Sequence, residues 1–73
     1  MKHLAYEVVN KASKQNAGML SEIAQNILQS KSKESDSLVF LKMIREQAND
    51  NPGKIKEILG EELYDDMIQN YLY

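Results

Sequence analysis

The sequence predicts an all-α protein, a small three- to four-helix bundle in a single domain. Three observations lead there. Apolar residues recur at helical spacing in every substantial segment, no segment alternates with period two, and "QNAG" and "NDNPG" supply punctuation of the kind that separates helices.

The first helix is expected over about residues 2–16. Leu4, Ala5, Val8, Val9 and Ala12 form one stripe of a 3.6-residue period. Asn16-Ala17-Gly18 then offers a stop, with Gly18 free to take a left-handed conformation after the helix. A second helix, about 20–30, carries Leu20, Ile23, Ala24, Ile27 and Leu28, with Ser21 as a candidate N-cap. The two stripes are nearly in phase, so one helix running through Gly18 is the alternative.

"QSKSKESDS", residues 29–37, contains no apolar residue and reads as a linker or frayed end, with Ser35 or Asp36 able to cap a third helix. That helix is expected over about 37–49. Its Leu38, Val39, Phe40, Leu41, Met43, Ile44 and Ala48 lie on more than one face, the pattern of a central, most buried element. Asn51 can cap a fourth helix that has Pro52 in its first turn, where the missing N–H costs nothing. The fourth helix is expected over about 52–72 on Ile55, Ile58, Leu59, Leu63, Met67, Ile68, Tyr71 and Leu72, with a kink or break at Gly60.

Size and composition narrow the classes. A chain of 73 residues buries about 60% of the surface its unfolded form exposes, so a core alone gives modest stability. With no cysteine there is neither a disulfide nor a thiolate metal site to add to it. Eight Leu, six Ile, three Val, four Met and Phe40 do suffice for a helical core. The longest apolar run, Leu38–Leu41, is far short of the roughly 20 residues of a membrane span. Glu7 follows the start too soon for a signal peptide, and a cytoplasmic protein is the expectation.

The net charge of −2 is unevenly spread. Residues 1–33 hold five Lys against Glu7 and Glu22, giving +3, whereas residues 34–73 hold four basic and nine acidic groups, giving −5. After Lys56 no basic residue occurs, and Glu57, Glu61, Glu62, Asp65 and Asp66 all fall there. On a continuous helix Glu57, Glu61 and Asp65 would share one face. The expected function is therefore non-enzymatic: a small regulator or inhibitor that docks an acidic C-terminal helix on a basic partner protein. The residues assigned to that contact are Glu57, Glu61, Glu62, Tyr64, Asp65, Asp66, Tyr71 and Tyr73, the tyrosines because amphipathic aromatics favour interfaces.

Other chemistries find little support in the sequence. His3 is the only histidine, the glycines are isolated, and no metal-ligand spacing occurs, so no catalytic, cofactor or metal site is expected. A nucleic-acid-binding regulator using Lys11, Lys14, Lys31 and Lys33 is the first alternative. "SEIAQNIL" resembles the first helix of helix-turn-helix proteins over eight residues, but Ile27-Leu28-Gln29 stands where their glycine turn would come, and the pI near 5.3 opposes the reading. A structural subunit of a larger assembly is the second alternative, and a homodimer would bury apolar area that so short a monomer leaves wet.

Overall fold

The computed structural model describes residues 2–70, the side chain of Lys2 excepted, and these form five α-helices in chain order: α1 (Lys2–Ser13), α2 (Met19–Leu28), α3 (Lys33–Asp50), α4 (Pro52–Leu59) and α5 (Glu61–Asn70). The all-α class expected from periodicity stands, with one helix more than the three or four expected. Gly60 accounts for the difference. At φ 86° and ψ 157° it adopts a backbone conformation essentially reserved for glycine, and it turns the stretch expected over 52–72 into two helices. Its N–H donates to the Lys56 carbonyl at 2.8 Å and its own carbonyl accepts from the Tyr64 N–H at 3.0 Å, so one residue closes α4 and opens α5.

α1 ends at Ser13, earlier than the sequence suggests. The N–H groups of Lys14 and Gln15 turn back on the carbonyls of Lys11 and Ala12, and the Gln25 amide of α2 donates to the Ser13 carbonyl at 3.0 Å. Those contacts satisfy carbonyls that a longer helix would otherwise have used. Gly18 (φ 66°) accordingly belongs to the start of α2 and not to the end of α1, which settles the one-helix alternative in favour of two. Ser21 does not cap α2 in the expected sense. It sits buried inside the first turn, where its hydroxyl accepts the Ala17 N–H at 2.9 Å and so ties the residue before the N-cap Gly18 back to the helix.

The polar segment is mostly helix. α3 begins at Lys33, and only about residues 29–32 connect it to α2. Ser30 orders this turn: its hydroxyl donates to the Asp36 carboxylate at 2.6 Å and accepts the Ser32 N–H at 3.0 Å. Neither Ser35 nor Asp36 is the cap; Ser32 occupies that position without a side-chain hydrogen bond. Glu34 and Asp36 in the first turn complement the positive end of the helix, which offsets the absence of apolar residues there. At the far end Asn51 serves two helices. Its N–H donates to the Gln47 carbonyl, ending α3, and its Oδ1 accepts the Lys54 N–H at 3.3 Å, starting α4 one residue before Pro52 as expected.

The core gathers Ala5, Val8, Val9 and Ala12 of α1, Leu20, Ala24 and Ile27 of α2, Phe40, Leu41, Ile44 and Ala48 of α3, Ile55, Ile58 and Leu59 of α4, and Met67 of α5. α1 is the helix packed against all four others, so it takes the central place expected of α3. The extra apolar residues of α3 account for the difference: Val39 is 67% and Leu38 39% exposed, so they lie outside the core stripe of Phe40, Leu41, Ile44 and Ala48. The small residues Ala5 and Ala12 let neighbouring helices approach α1 closely. The radius of gyration, 10.9 Å, matches the roughly 11 Å of a compact chain of this length.

Candidate functional site

α5 is attached along one face. Met67 is buried, Leu63, Tyr64 and Ile68 are half-buried against the core, and Glu61, Glu62, Asp65 and Asp66 are all exposed. Positions 63, 64, 67 and 68 define a single helical stripe, so the carboxylates necessarily occupy the remaining surface. Neither α5 nor its first turn carries a basic residue, and Glu61 and Glu62 lie where the positive end of the helix favours anions.

The break at Gly60 splits the expected acidic row. Glu57 stays on α4, exposed, beside a depression shared with Gln15, Asn16, Ala17 and Lys54. Glu61, Glu62 and Asp66 instead line an open groove of about 460 Å³ between α5 and the outer side of α1. Asp65 is exposed on α5 but does not line that groove. Tyr64 lies under the ammonium of Lys56, whose Nζ is 5.4 Å from the ring centroid, a cation–π contact that ties α4 to α5 across the glycine. Tyr71 and Tyr73 lie outside the described residues.

The facing wall of the groove changes its electrostatics. Glu7, Asn10 and Lys11 of α1 and Lys14 of the turn after it line the wall opposite the acids, and a Cβ placed on Gly60 would come 4.0 Å from Lys11 Cε, so the stem of Lys11 runs past the glycine. Two ammonium groups therefore share the groove with Glu7, Glu61, Glu62 and Asp66, leaving it a net charge of −2. The lysines of the alternative reading are thus divided: Lys11 and Lys14 stand beside the acids, while Lys31 is exposed in the α2–α3 turn and Lys33 begins α3. Salt in solution screens such exposed charges strongly.

Helical phase in α1 marks Glu7 and Lys11 as solvent-facing, because they lie away from Ala5, Val8, Val9 and Ala12, and Lys14 is exposed in the turn that follows. That α5 would be the neighbour across the solvent could not be read from period alone. A second cleft, of about 370 Å³, lies where α1, the end of α2 and the start of α3 meet, and its residues Tyr6, Asn10, Leu28 and Ser37 carry no motif in the sequence. Among the described residues no group of three or more His, Asp or Glu side chains converges to hold a metal ion. Nor is any described helix long and apolar enough to cross a membrane. No family model matches the chain, and comparisons with curated proteins and with solved structures find no match.

Proposed function

We propose that this protein is a non-enzymatic protein-binding module, a small regulator or inhibitor, that docks the outer face of α5 on a basic surface of a partner protein. The observation that carries the reading is the one-sided attachment of α5: its four carboxylates all face outward on an element with no basic residue of its own. Opposite charge on the partner would steer the encounter and fix its orientation, whereas affinity would come from apolar contacts at the rim of the same face. Lys11 and Lys14 refine the footprint. They favour a partner that meets Asp65 and the outer sides of Glu61 and Glu62, because the groove side of the acids already faces positive charge.

The test is a pull-down from the native host with the wild type and with a variant carrying Glu61→Gln, Glu62→Gln, Asp65→Asn and Asp66→Asn, helicity being checked by circular dichroism. A protein with a basic surface, retained by the wild type at low salt, released as salt rises and lost by the folded variant, is the expected result. Equal retention of that protein by the folded variant sinks the proposal.

A further inference from the structure

Both hydrogen bonds made by the Gly60 backbone already have the spacing of a continuous helix. Its N–H donates to Lys56 and its carbonyl accepts from Tyr64, each four residues away. Torsion at this one glycine therefore separates α4 from α5, and glycine enters the helical region as readily as the one it holds. Rotation to helical values would join the two into one helix over 52–70. The N–H groups of Glu61, Glu62 and Leu63 would then pair with the carbonyls of Glu57, Ile58 and Leu59, none of which has a partner within its own helix. Nothing polar holds α5 down against such a change. Among the described residues no side-chain hydrogen bond or ion pair joins it to another helix: Asn70 bonds within α5, and the attachment is the apolar packing of Leu63, Tyr64, Met67 and Ile68 with the Lys56–Tyr64 ring contact.

Straightening has a definite geometric result. At 3.6 residues per turn, the α5 face of Leu63, Tyr64, Met67 and Ile68 lies about 160° around a continuous helix from the α4 face of Ile55, Ile58 and Leu59. α4 would stay in its own core while the apolar side of α5 turned away from it. Met67, now 0% exposed, would become wet, and the place it fills against α1 and α4 would open. The occupant whose side chains fit that place is α5 of a second copy, whose own vacated place receives the first. We infer that α5 is an exchangeable arm on a Gly60 hinge, through which two copies of this chain form a reciprocal dimer, each α5 packed on the other copy's α1 and α4. Two terms oppose it. A straight helix brings Glu57, Glu61 and Asp65 into an i, i+4 row of like charge, and it draws Lys56 and Tyr64 about 12 Å apart along the axis. The bent monomer is therefore the favoured form in dilute solution. The exchange does not depend on whether α5 docks a partner protein, because its carboxylates face outward in both forms.

The experiment refolds the full-length chain from urea at concentrations from about 10 µM to about 1 mM and reads the mass by light scattering. The wild type is expected to be a monomer at the low end, with a dimer appearing toward the high end. Gly60→Ala strains the bent hinge and favours the helical one, twice per dimer, so its dimer should form at a concentration lower by roughly tenfold or more. Glu61→Pro should abolish the dimer. Proline suits the first position of α5 after Gly60 at ψ 157°, but in a continuous helix its ring would clash with the Glu57 carbonyl. Isotope-labelled chains refolded with an equal amount of unlabelled chain report the route: filtered NOEs from the Met67 methyl are expected to reach α1 and α4 of the other chain. The inference is overturned if neither the wild type nor Gly60→Ala dimerises, if Glu61→Pro dimerises as the wild type does, or if the Met67 contacts of the dimer stay within one chain.

Discussion

Gly60 and Gly53 differ by torsion alone. Gly60 holds φ 86° and ψ 157°, and a Cβ there would meet only Lys11 Cε at 4.0 Å, so sterics between residues are not at issue. Gly60→Ala is expected to lower stability by about 1–3 kcal/mol because no L-residue enters that region without strain. Gly53 lies inside the first turn of α4 at ordinary helical torsion with open space around it, so Gly53→Ala should raise stability by about 0.5–1 kcal/mol. Urea denaturation of the two variants decides the matter, and equal effects would refute the torsional account. Ser37→Ala belongs to the same scale. It removes a buried unsatisfied hydroxyl and installs the better helix former, so the melting temperature is expected to rise by about 4–8 °C per kcal/mol gained. A fall would show that the hydroxyl has a partner in solution.

At the scale of elements, the stripes were legible in the sequence and the boundaries were hidden. Every core residue of α1 was visible in its periodicity, and Asn51-Pro52 announced the start of α4 to the residue. The start of α3 was not visible, because a helix turn that faces solvent needs no apolar residue; Ser30, Asp36 and the buried Ser37 hold it by hydrogen bonding and close packing instead. The acidic row differs from its expected form for a related reason. Period alone carries Glu57 into line with Glu61 and Asp65; of the kink or break expected at Gly60, its torsion makes a break, with α5 starting at Glu61. That boundary also divides the acids into two energetic kinds. Glu61 and Glu62 lie in the first turn of α5, where each is worth about 0.3–1 kcal/mol to the helix, whereas Asp65 and Asp66 lie beyond it. Glu61→Gln with Glu62→Gln should therefore lower the denaturation midpoint, and Asp65→Asn with Asp66→Asn should leave it nearly unchanged while still removing two docking charges. Reversed effects on the midpoint would mean that repulsion among the four acids outweighs the dipole.

The molecule as a whole is organised around α1, and its stability should be graded accordingly. At about 0.05–0.15 kcal/mol per residue, a 73-residue domain holds roughly 4–11 kcal/mol against unfolding. Phe40→Ala, removing a ring that is 1% exposed, should cost about 3–5 kcal/mol, while the adjacent Val39→Ala, 67% exposed, should stay within about 0.5 kcal/mol. Hydrogen exchange extends the comparison from single residues to helices. α1 contacts every other helix, so the amides of Val8, Val9 and Ala12 can open only when the whole bundle does. α5 is packed on α1 and α4, buries Met67 alone to completion and hangs from a glycine, so it can detach while the other helices stay folded. The amides of Leu63–Ile68 are therefore expected to exchange through a smaller opening free energy than those of α1, whose value should equal the unfolding free energy measured in urea. Equal protection in the two helices would show a single cooperative unit. Unequal protection would mean that the helix bearing the exposed carboxylates is also the one free to adjust its angle when it meets a partner.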